Sequence, residues 1–121
     1  MSRAGDKTGA AERIQAEVLS WPGVEAGSHR FGGIEFRYGR RELGHLHGDR
    51  FADIPAGTRL KQELIATGRA RAHHVLPDSG WATVPTEDAA GEATAIELLR
   101  TGYDRAVEQE RRRAGRQRPA G

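Results

Sequence analysis

The sequence predicts one small α+β domain built on a mainly antiparallel sheet. Apolar residues recur at helical spacing near both ends of the 121-residue chain, whereas the segments between them alternate apolar and polar residues with a period of two. The links between the alternating segments are short enough for hairpins, which favours antiparallel pairing over the long crossovers of a parallel sheet. The predicted order of elements is α-β-β-β-α-β-β-α, with the helices packed on one face of the sheet.

Residues 10–20 are predicted to form the first helix, because their apolar side chains lie at helical spacing. The sequence Trp21-Pro22-Gly23 ends this helix, since a proline disfavours the α conformation at the residue before it. Trp21 is bulky and lies at the boundary, so we expect it to anchor the helix end on the core.

Strands are predicted in the next segment from alternation and turn chemistry. In residues 34–38 the apolar side chains share one face, which leaves Glu35 and Arg37 on the other face. A tight turn leads from there into a second strand over residues 41–47, and an earlier strand is expected near residues 24–29. Residues 51–55 are interpreted as a brief extended piece.

The second half of the chain is predicted to add one helix, two strands and a final helix. Thr58 as a cap and Gly68 as a stop favour a helix over residues 58–67. Residues 72–76 and 81–84 are predicted as strands, joined by a turn at residues 77–80. The last helix begins within residues 88–92 and is expected to run to about residue 112.

Composition excludes several classes of protein. The chain has no cysteine, which excludes a disulfide scaffold, and no apolar run approaches the roughly 20 residues of a membrane span. Its first residues lack the apolar stretch of a signal peptide, so we expect a cytoplasmic protein with no membrane partner.

The net charge of +2 is unevenly distributed, because residues 111–121 contain five arginines and no acidic residue. We predict a flexible N-terminus over residues 1–8, a single domain over residues 9–110 and a flexible arginine-rich tail over residues 111–121. Since the domain without its tail is not basic, we expect a small-molecule partner rather than nucleic acid, and a homodimer remains open.

All five histidines lie between residues 29 and 74. His45 and His47 are two residues apart on a predicted strand and therefore share a face. His73 and His74 are neighbours on another predicted strand, so one of them can join that face. We expect the three side chains to lie within about 10 Å of each other.

Further groups are predicted around these histidines. Alternation places Glu35 and Arg37 on the same face, and Asp53 and Ser79 can occupy its rim. Trp81 can form the floor of a pocket for a planar ligand, although a tryptophan on a strand is more often part of the core and we expect its ring to be largely buried.

Three interpretations of the histidine cluster stay open. A neutral imidazole can act as a general base while Arg37 stabilises the resulting oxyanion. The His-x-His pair with a third ligand can bind zinc or iron, although no further motif supports this and we expect no metal in the purified protein. The histidines can also serve only structural hydrogen bonds. The sequence contains neither a nucleophile elbow nor a phosphate-binding loop.

Three segments, supported by a closing helix at residues 98–103, resemble the small bacterial members of the luciferase-like domain family, which is named after the fungal luciferases. They are Arg30-Phe-Gly-Gly-Ile-Glu-Phe-Arg37, Gly44-His-Leu-His-Gly48 followed by Asp53, and His73-His-Val-Leu-Pro-Asp-Ser-Gly-Trp81. The resemblance covers about residues 21–106. It implies an oxygenation that needs no cofactor, in which O2 adds to an electron-rich hydroxypyrone and CO2 is lost.

We therefore predict a cofactor-independent oxygenase that acts on a planar, acidic, hydroxypyrone-like molecule, with O2 as co-substrate. The alternatives are a non-catalytic ligand-binding or interaction module of the same fold, and a histidine-cluster metal protein. The catalytic candidates, which are our own inference from the residues, are His45, His47, His73, His74 and Arg37. The substrate-binding candidates are Glu35, Asp53, Ser79 and Trp81, and no residue is assigned to a metal.

Overall fold

Three helices and a six-stranded sheet make up the computed structural model, which describes residues 9–28, 32–73 and 75–117. The sheet order is β1-β2-β3-β4-β6-β5, and all neighbouring strands pair antiparallel. The predicted α+β class is thus confirmed, with one more strand than expected. The elements are α1 (Ala10–Val18), β1 (Val24–Ser28), β2 (Ile34–Tyr38), β3 (Arg41–His47), β4 (Phe51–Pro55), α2 (Thr58–Ala66), β5 (Arg71–Ala72), β6 (Trp81–Pro85) and α3 (Ala89–Gln117).

The long helix α3 crosses β3, β4 and β6 and buries their apolar side chains. Helix α1 packs on α3, and α2 packs against β5 and β6 at the end of the sheet. Trp21 lies in the core as expected, where its ring contacts that of Tyr103. None of the helices in the described part of the chain combines the length and the apolar character needed to cross a membrane.

The additional strand is β4, which lies between β3 and β6 in the interior of the sheet. The sequence indicated only a brief extended piece here, because a strand of five residues with a carboxylate at its centre does not look like an interior strand. Ala52 and Ile54 are buried in the core, whereas Asp53 between them points to the opposite face.

The strand predicted over residues 72–76 is wrong beyond Ala72, because β5 contains only Arg71 and Ala72. After β5, Nδ1 of His73 accepts hydrogen bonds from the backbone N–H groups of Val75 and Leu76, both at 3.1 Å. These donors are therefore used in a turn and not in a sheet ladder.

Helix α3 ends at Gln117, beyond the predicted end near residue 112. Ion pairs from Glu108 to Arg111 and Arg112 support its exposed last turns. The flexibility predicted for the tail remains a prediction, and residues 1–8 lie outside the described part of the chain.

A β-bulge in β3 decides which side chains reach the face opposite α3. Gly44 pairs with Phe36 and Glu42 pairs with Arg37, so the intervening Leu43 has no partner position on β2. Leu43 and Gly44 both face α3: Cδ2 of Leu43 approaches Gly102, and a Cβ at Gly44 would lie 2.9 Å from Cδ2 of Leu99. As a result, Glu42 lies on the opposite face together with the histidines of β3.

Candidate active site around Asp53

The side chain of Asp53 is the centre of a polar cluster on the sheet face opposite α3. It is 0% exposed, and Oδ1 accepts a 2.5 Å hydrogen bond from the hydroxyl of Thr83. Three imidazoles direct Nε2 at the other oxygen, Oδ2, from His47 at 3.0 Å and from His45 and His73 at 3.5 Å. We call these five residues the Asp53 cluster.

Strand register produces this convergence. Asp53 pairs with His45 on one side and with Thr83 on the other, so the three side chains lie next to each other across adjacent strands. His47 is two residues further along β3 and therefore on the same face. His73 is the first residue after strand β5, which ends at Ala72. The predicted proximity of His45, His47 and one further histidine is confirmed.

Glu42 extends the cluster beyond Asp53. Its Oε2 lies 2.7 Å from Nδ1 of His45. Since a carboxylate only accepts hydrogen bonds, Nδ1 of His45 carries a proton and donates a hydrogen bond to Glu42. Strict alternation along β3 would have placed Glu42 on the face opposite His45, and the bulge brings them together.

The turn after β5 sets the tautomer of His73. Because Nδ1 accepts two backbone N–H groups, the proton of the neutral ring is on Nε2, which faces Asp53. The His73 ring thus presents an N–H donor to the centre of the cluster.

The charges in the cluster change two pKa values in opposite directions. Burial works against a charged His45, but the hydrogen bonds to Asp53 and Glu42 outweigh it and raise the pKa of His45 to about 9. Burial likewise opposes ionisation of Asp53, yet the hydrogen bonds from His45 and Thr83 and the electrostatic interactions with His73 and His45 hold its pKa well below the usual range. At neutral pH His45 and Asp53 thus form a buried ion pair in the metal-free protein.

Aromatic rings flank the imidazoles. Phe51 stacks on His47, with ring centres 4.6 Å apart and planes 22° apart. The centre of the Trp81 ring lies 5.4 Å from the ring centre of His45 and 6.2 Å from that of His73. Trp81 is half-buried and lies on the cluster side of β6, on the same face as Thr83, where it forms a wall of the site and is not part of the core.

The remaining sequence candidates contribute less directly. Glu35 and Arg37 lie on the predicted face, but the guanidinium of Arg37 donates to Glu35 and to the carbonyl of Arg40, not to Asp53. The hydroxyl of Ser79 donates to the carbonyl of Leu76 and accepts the backbone N–H of Trp81, which is a turn role. His74 lies outside the described residues.

Sequence reasoning missed three members of this region. Phe51 lies two residues before Asp53 on β4, and Thr83 lies two residues after Trp81 on β6. Alternation alone could therefore have found both, once residues 51–55 were treated as a strand. Glu42 could not be found in this way, because its position depends on the bulge.

Two imidazoles and one carboxylate could also hold a metal ion. One ligand atom each from His45, His47 and Asp53 lies within 4.8 Å of the other two. Both residue types are ordinary ligands of divalent transition metals.

A comparison with known protein families gives a match over the part of the chain that contains the site. The family model described as the Luciferase domain matches residues 40–102, more than half of the chain, and this range contains the whole Asp53 cluster. The comparisons with curated proteins and with solved structures give no match. The sequence match covers β3, β4, α2, β5, β6 and the first half of α3, and on this basis the chain belongs to the luciferase domain family.

Proposed function

We propose that this luciferase-domain protein is an oxygenase that acts on a planar, acidic small molecule of the hydroxypyrone type. The observation that carries the proposal is the convergence of three imidazoles on the buried carboxylate of Asp53, on a face walled by aromatic rings. Family membership supports the class of reaction.

The aromatic rings suit a planar substrate. Phe51 and Trp81 offer π-faces next to the imidazoles, and offset stacking on such rings favours flat, conjugated molecules. His47 is the most accessible imidazole of the cluster, with 22% of its side chain exposed, so it is the group that a bound molecule reaches first.

The cluster supplies N–H donors for a negatively charged substrate oxygen. The Nε2–H group of His73 is held in place by the turn after β5, and such a pre-organised donor stabilises an oxyanion without reorganisation. Arg37 was the sequence-based candidate for this role, but its guanidinium donates to Glu35 and Arg40 and not to the cluster, so we assign the role to His73. Its Nε2–H group faces Oδ2 of Asp53 at 3.5 Å and would be shared with a substrate oxygen bound beside that carboxylate.

The proposed reaction balances without an added reductant. The substrate loses a proton to His47 to give an enolate, and the electron pair of its carbanionic carbon forms the new C–O bond to O2, which is reduced to the peroxide level. Return of the proton gives a hydroperoxide, so substrate plus O2 equals product, and the loss of CO2 implied by the family follows from this species.

Oxygen consumption tests the proposal. Wild-type protein is mixed with a panel of hydroxypyrones and other planar enols in an oxygen-electrode cell. We expect His47→Gln and His73→Gln to reduce the rate by about 10²–10⁴-fold, the usual effect of removing a positioned proton-transfer or donor group. Glu25→Gln, on the exposed edge strand β1, is the control and should leave the rate unchanged.

Two results would contradict the oxygenase. Equal oxygen consumption by the wild type and both histidine variants would show that the Asp53 cluster takes no part in the reaction. Binding of the panel without oxygen consumption, measured by quenching of Trp81 fluorescence with Trp81→Phe as the reference, would indicate a binding module instead.

A further inference from the structure

We propose that His45, His47 and Asp53 form a binding site for a divalent transition-metal ion, with two Nε2 atoms and Oδ2 as its ligands. The proposal concerns the same cluster as the proposed oxygenase, but it stands on the positions of these atoms. Because ion binding is measured without substrate, the two proposals can fail separately.

The distances between the donor atoms fit a bound ion. Oδ2 of Asp53 lies 3.0 Å from Nε2 of His47 and 3.5 Å from Nε2 of His45, and one ligand atom of each residue lies within 4.8 Å of those of the other two. Bonds of about 2.0–2.2 Å to one ion place neighbouring ligand atoms roughly 2.8–3.6 Å apart in octahedral or tetrahedral geometry. The two separations from Oδ2 therefore already match those of ligands to one ion.

Hydrogen bonds outside the three donor atoms orient two of the ligands. Nδ1–H of His45 donates to Glu42, which orients Nε2 towards Oδ2. A bound ion would replace the proton on Nε2 and give the carboxylate–histidine–metal arrangement of known metal sites. The hydroxyl of Thr83 donates to Oδ1 of Asp53, which leaves Oδ2 as the ligand oxygen. A ligand set with such support is pre-organised before the ion arrives.

His73 is excluded from the ligand set although it is equally close to Oδ2. Its Nδ1 accepts the N–H groups of Val75 and Leu76, so Nε2 carries the ring proton and has no lone pair to offer. His73 instead donates to Asp53 and acts as a positioning residue for the carboxylate. Three protein ligands leave coordination positions open, as catalytic metal sites do.

Two imidazoles and one carboxylate favour a borderline ion such as Zn²⁺ or Fe²⁺ over Mg²⁺ or Ca²⁺, which prefer oxygen ligands. A metal at this position departs from the expectation, taken from the family resemblance, that no cofactor takes part.

Titration calorimetry with Zn²⁺ tests the site on the full chain, without a polyhistidine tag and after treatment with a chelator. We expect one Zn²⁺ per chain in the wild type and loss of that binding in His47→Gln and Asp53→Asn. Glu42→Gln should bind 10–100-fold more weakly, the usual effect of removing a partner of a ligating histidine. Glu25→Gln, on the exposed edge strand β1 and outside the cluster, should bind like the wild type.

The variant His73→Gln tests whether His73 is a metal ligand or only positions Asp53. We expect this variant to keep one Zn²⁺ per chain, and its affinity for Zn²⁺ should fall by no more than the affinity of Glu42→Gln does. The Co²⁺-loaded protein gives a second readout, because its visible absorption reports on the ligand set and should be retained in His73→Gln and lost in His47→Gln.

Three results would overturn the proposal. They are the absence of stoichiometric Zn²⁺ binding in the wild type, unchanged binding in His47→Gln, and loss of binding in His73→Gln equal to that in His47→Gln. Circular dichroism of each metal-free variant identifies any that fail to fold. His47→Gln is the most informative variant, since His47 is the most exposed of the three ligands.

Discussion

The carboxylate of Asp53 is a buried charge, and its neighbours make it tolerable. A carboxylate removed from water is costly unless it is paired and hydrogen-bonded, and Asp53 has an imidazolium partner in His45 and a hydroxyl donor in Thr83. The ion pair with His45 makes folding of the metal-free protein depend on pH.

The sign of this dependence follows from the two pKa changes. The folded-state pKa of His45 is raised from 6.5 to about 9, so its contribution to stability is complete below pH 6.5 and is lost as the pH rises through 9. The pKa of Asp53 is lowered, so its contribution is complete above its ordinary value of 3.8 and is lost as the pH falls below that.

We therefore predict that the free energy of unfolding of the chelator-treated protein is highest between about pH 4 and 6.5 and declines towards pH 9. Urea unfolding across this range measures it. Glu42→Gln removes one of the two carboxylates that hold the His45 proton, so the decline should be smaller in this variant. Equal stability of the wild type at pH 6.5 and pH 9 would contradict the ion pair.

At the scale of single elements, the bulge in β3 connects packing to the site. Gly44 has a φ of +152°, and a Cβ there would lie 2.9 Å from Cδ2 of Leu99 and 3.1 Å from the carbonyl oxygen of Asp53. The bulge thus needs a residue without a side chain, and the next residue along the strand is His45.

We predict that Gly44→Ala destabilises the protein by at least about 2 kcal/mol, from overpacking against α3 and from backbone strain. Chemical denaturation measures the loss. Gly27→Ala is the matched control, because a Cβ at this position of β1 meets no atom within 4 Å, and it should be neutral or slightly stabilising. A Gly44→Ala protein as stable as the wild type would show that β3 adapts without the bulge.

The bulge also marks the limit of what the sequence could predict. Period-two alternation correctly placed Glu35, Arg37 and the histidines of β3 on one face, because side chains alternate wherever pairing is regular. Alternation could not place Glu42, since an extra residue in one strand reverses the phase. It also missed the end of β5, because the bonds from His73 to its own turn compete with the sheet.

A second element, helix α2, holds the turn that follows His73. The side chain of Lys61 is buried, and Nζ donates to the carbonyls of Pro77 and Ser79, both at 2.5 Å. Hydrogen bonds from a charged donor contribute more than neutral ones, about 1.5–3 kcal/mol each.

We predict that Lys61→Met lowers the free energy of unfolding by at least about 3 kcal/mol, because it removes two such hydrogen bonds. It should also speed hydrogen exchange at the backbone N–H of Ser79, which donates to Leu76 within this turn. Gln62→Met, at an exposed position of the same helix, is the control and should change neither quantity. Equal exchange at Ser79 in the two variants would show that Lys61 does not restrain the turn.

At the scale of the whole molecule, the last turns of α3 extend beyond the part of the helix that packs on the sheet. The hydroxyl of Tyr38 donates to Glu110, and Arg41 donates to Gln109, so these two hydrogen bonds connect α3 to the β2–β3 hairpin at residues 109 and 110. Residues 111–116 are exposed.

We predict that deletion of residues 114–121 changes the melting temperature by less than about 4 °C, because a loss of 1 kcal/mol shifts a domain of this size by roughly 4–8 °C. Differential scanning calorimetry measures the shift, and deletion from residue 109 onwards, which removes the two connections to the hairpin, should lower Tm more. A larger drop on removal of residues 114–121 would show that the tail packs on the domain.

The position of β4 between β3 and β6 means that the Asp53 cluster is assembled from two stretches of chain on either side of α2. A break at Gly68, in the turn after α2, would leave the carboxylate with two imidazoles on one fragment and the third imidazole, the indole and the Thr83 hydroxyl on the other. Neither fragment alone would contain a complete cluster, and β4 would expose the backbone groups that normally pair with β6. The cluster would form only when the fragments recombine, so its appearance would report their complementation.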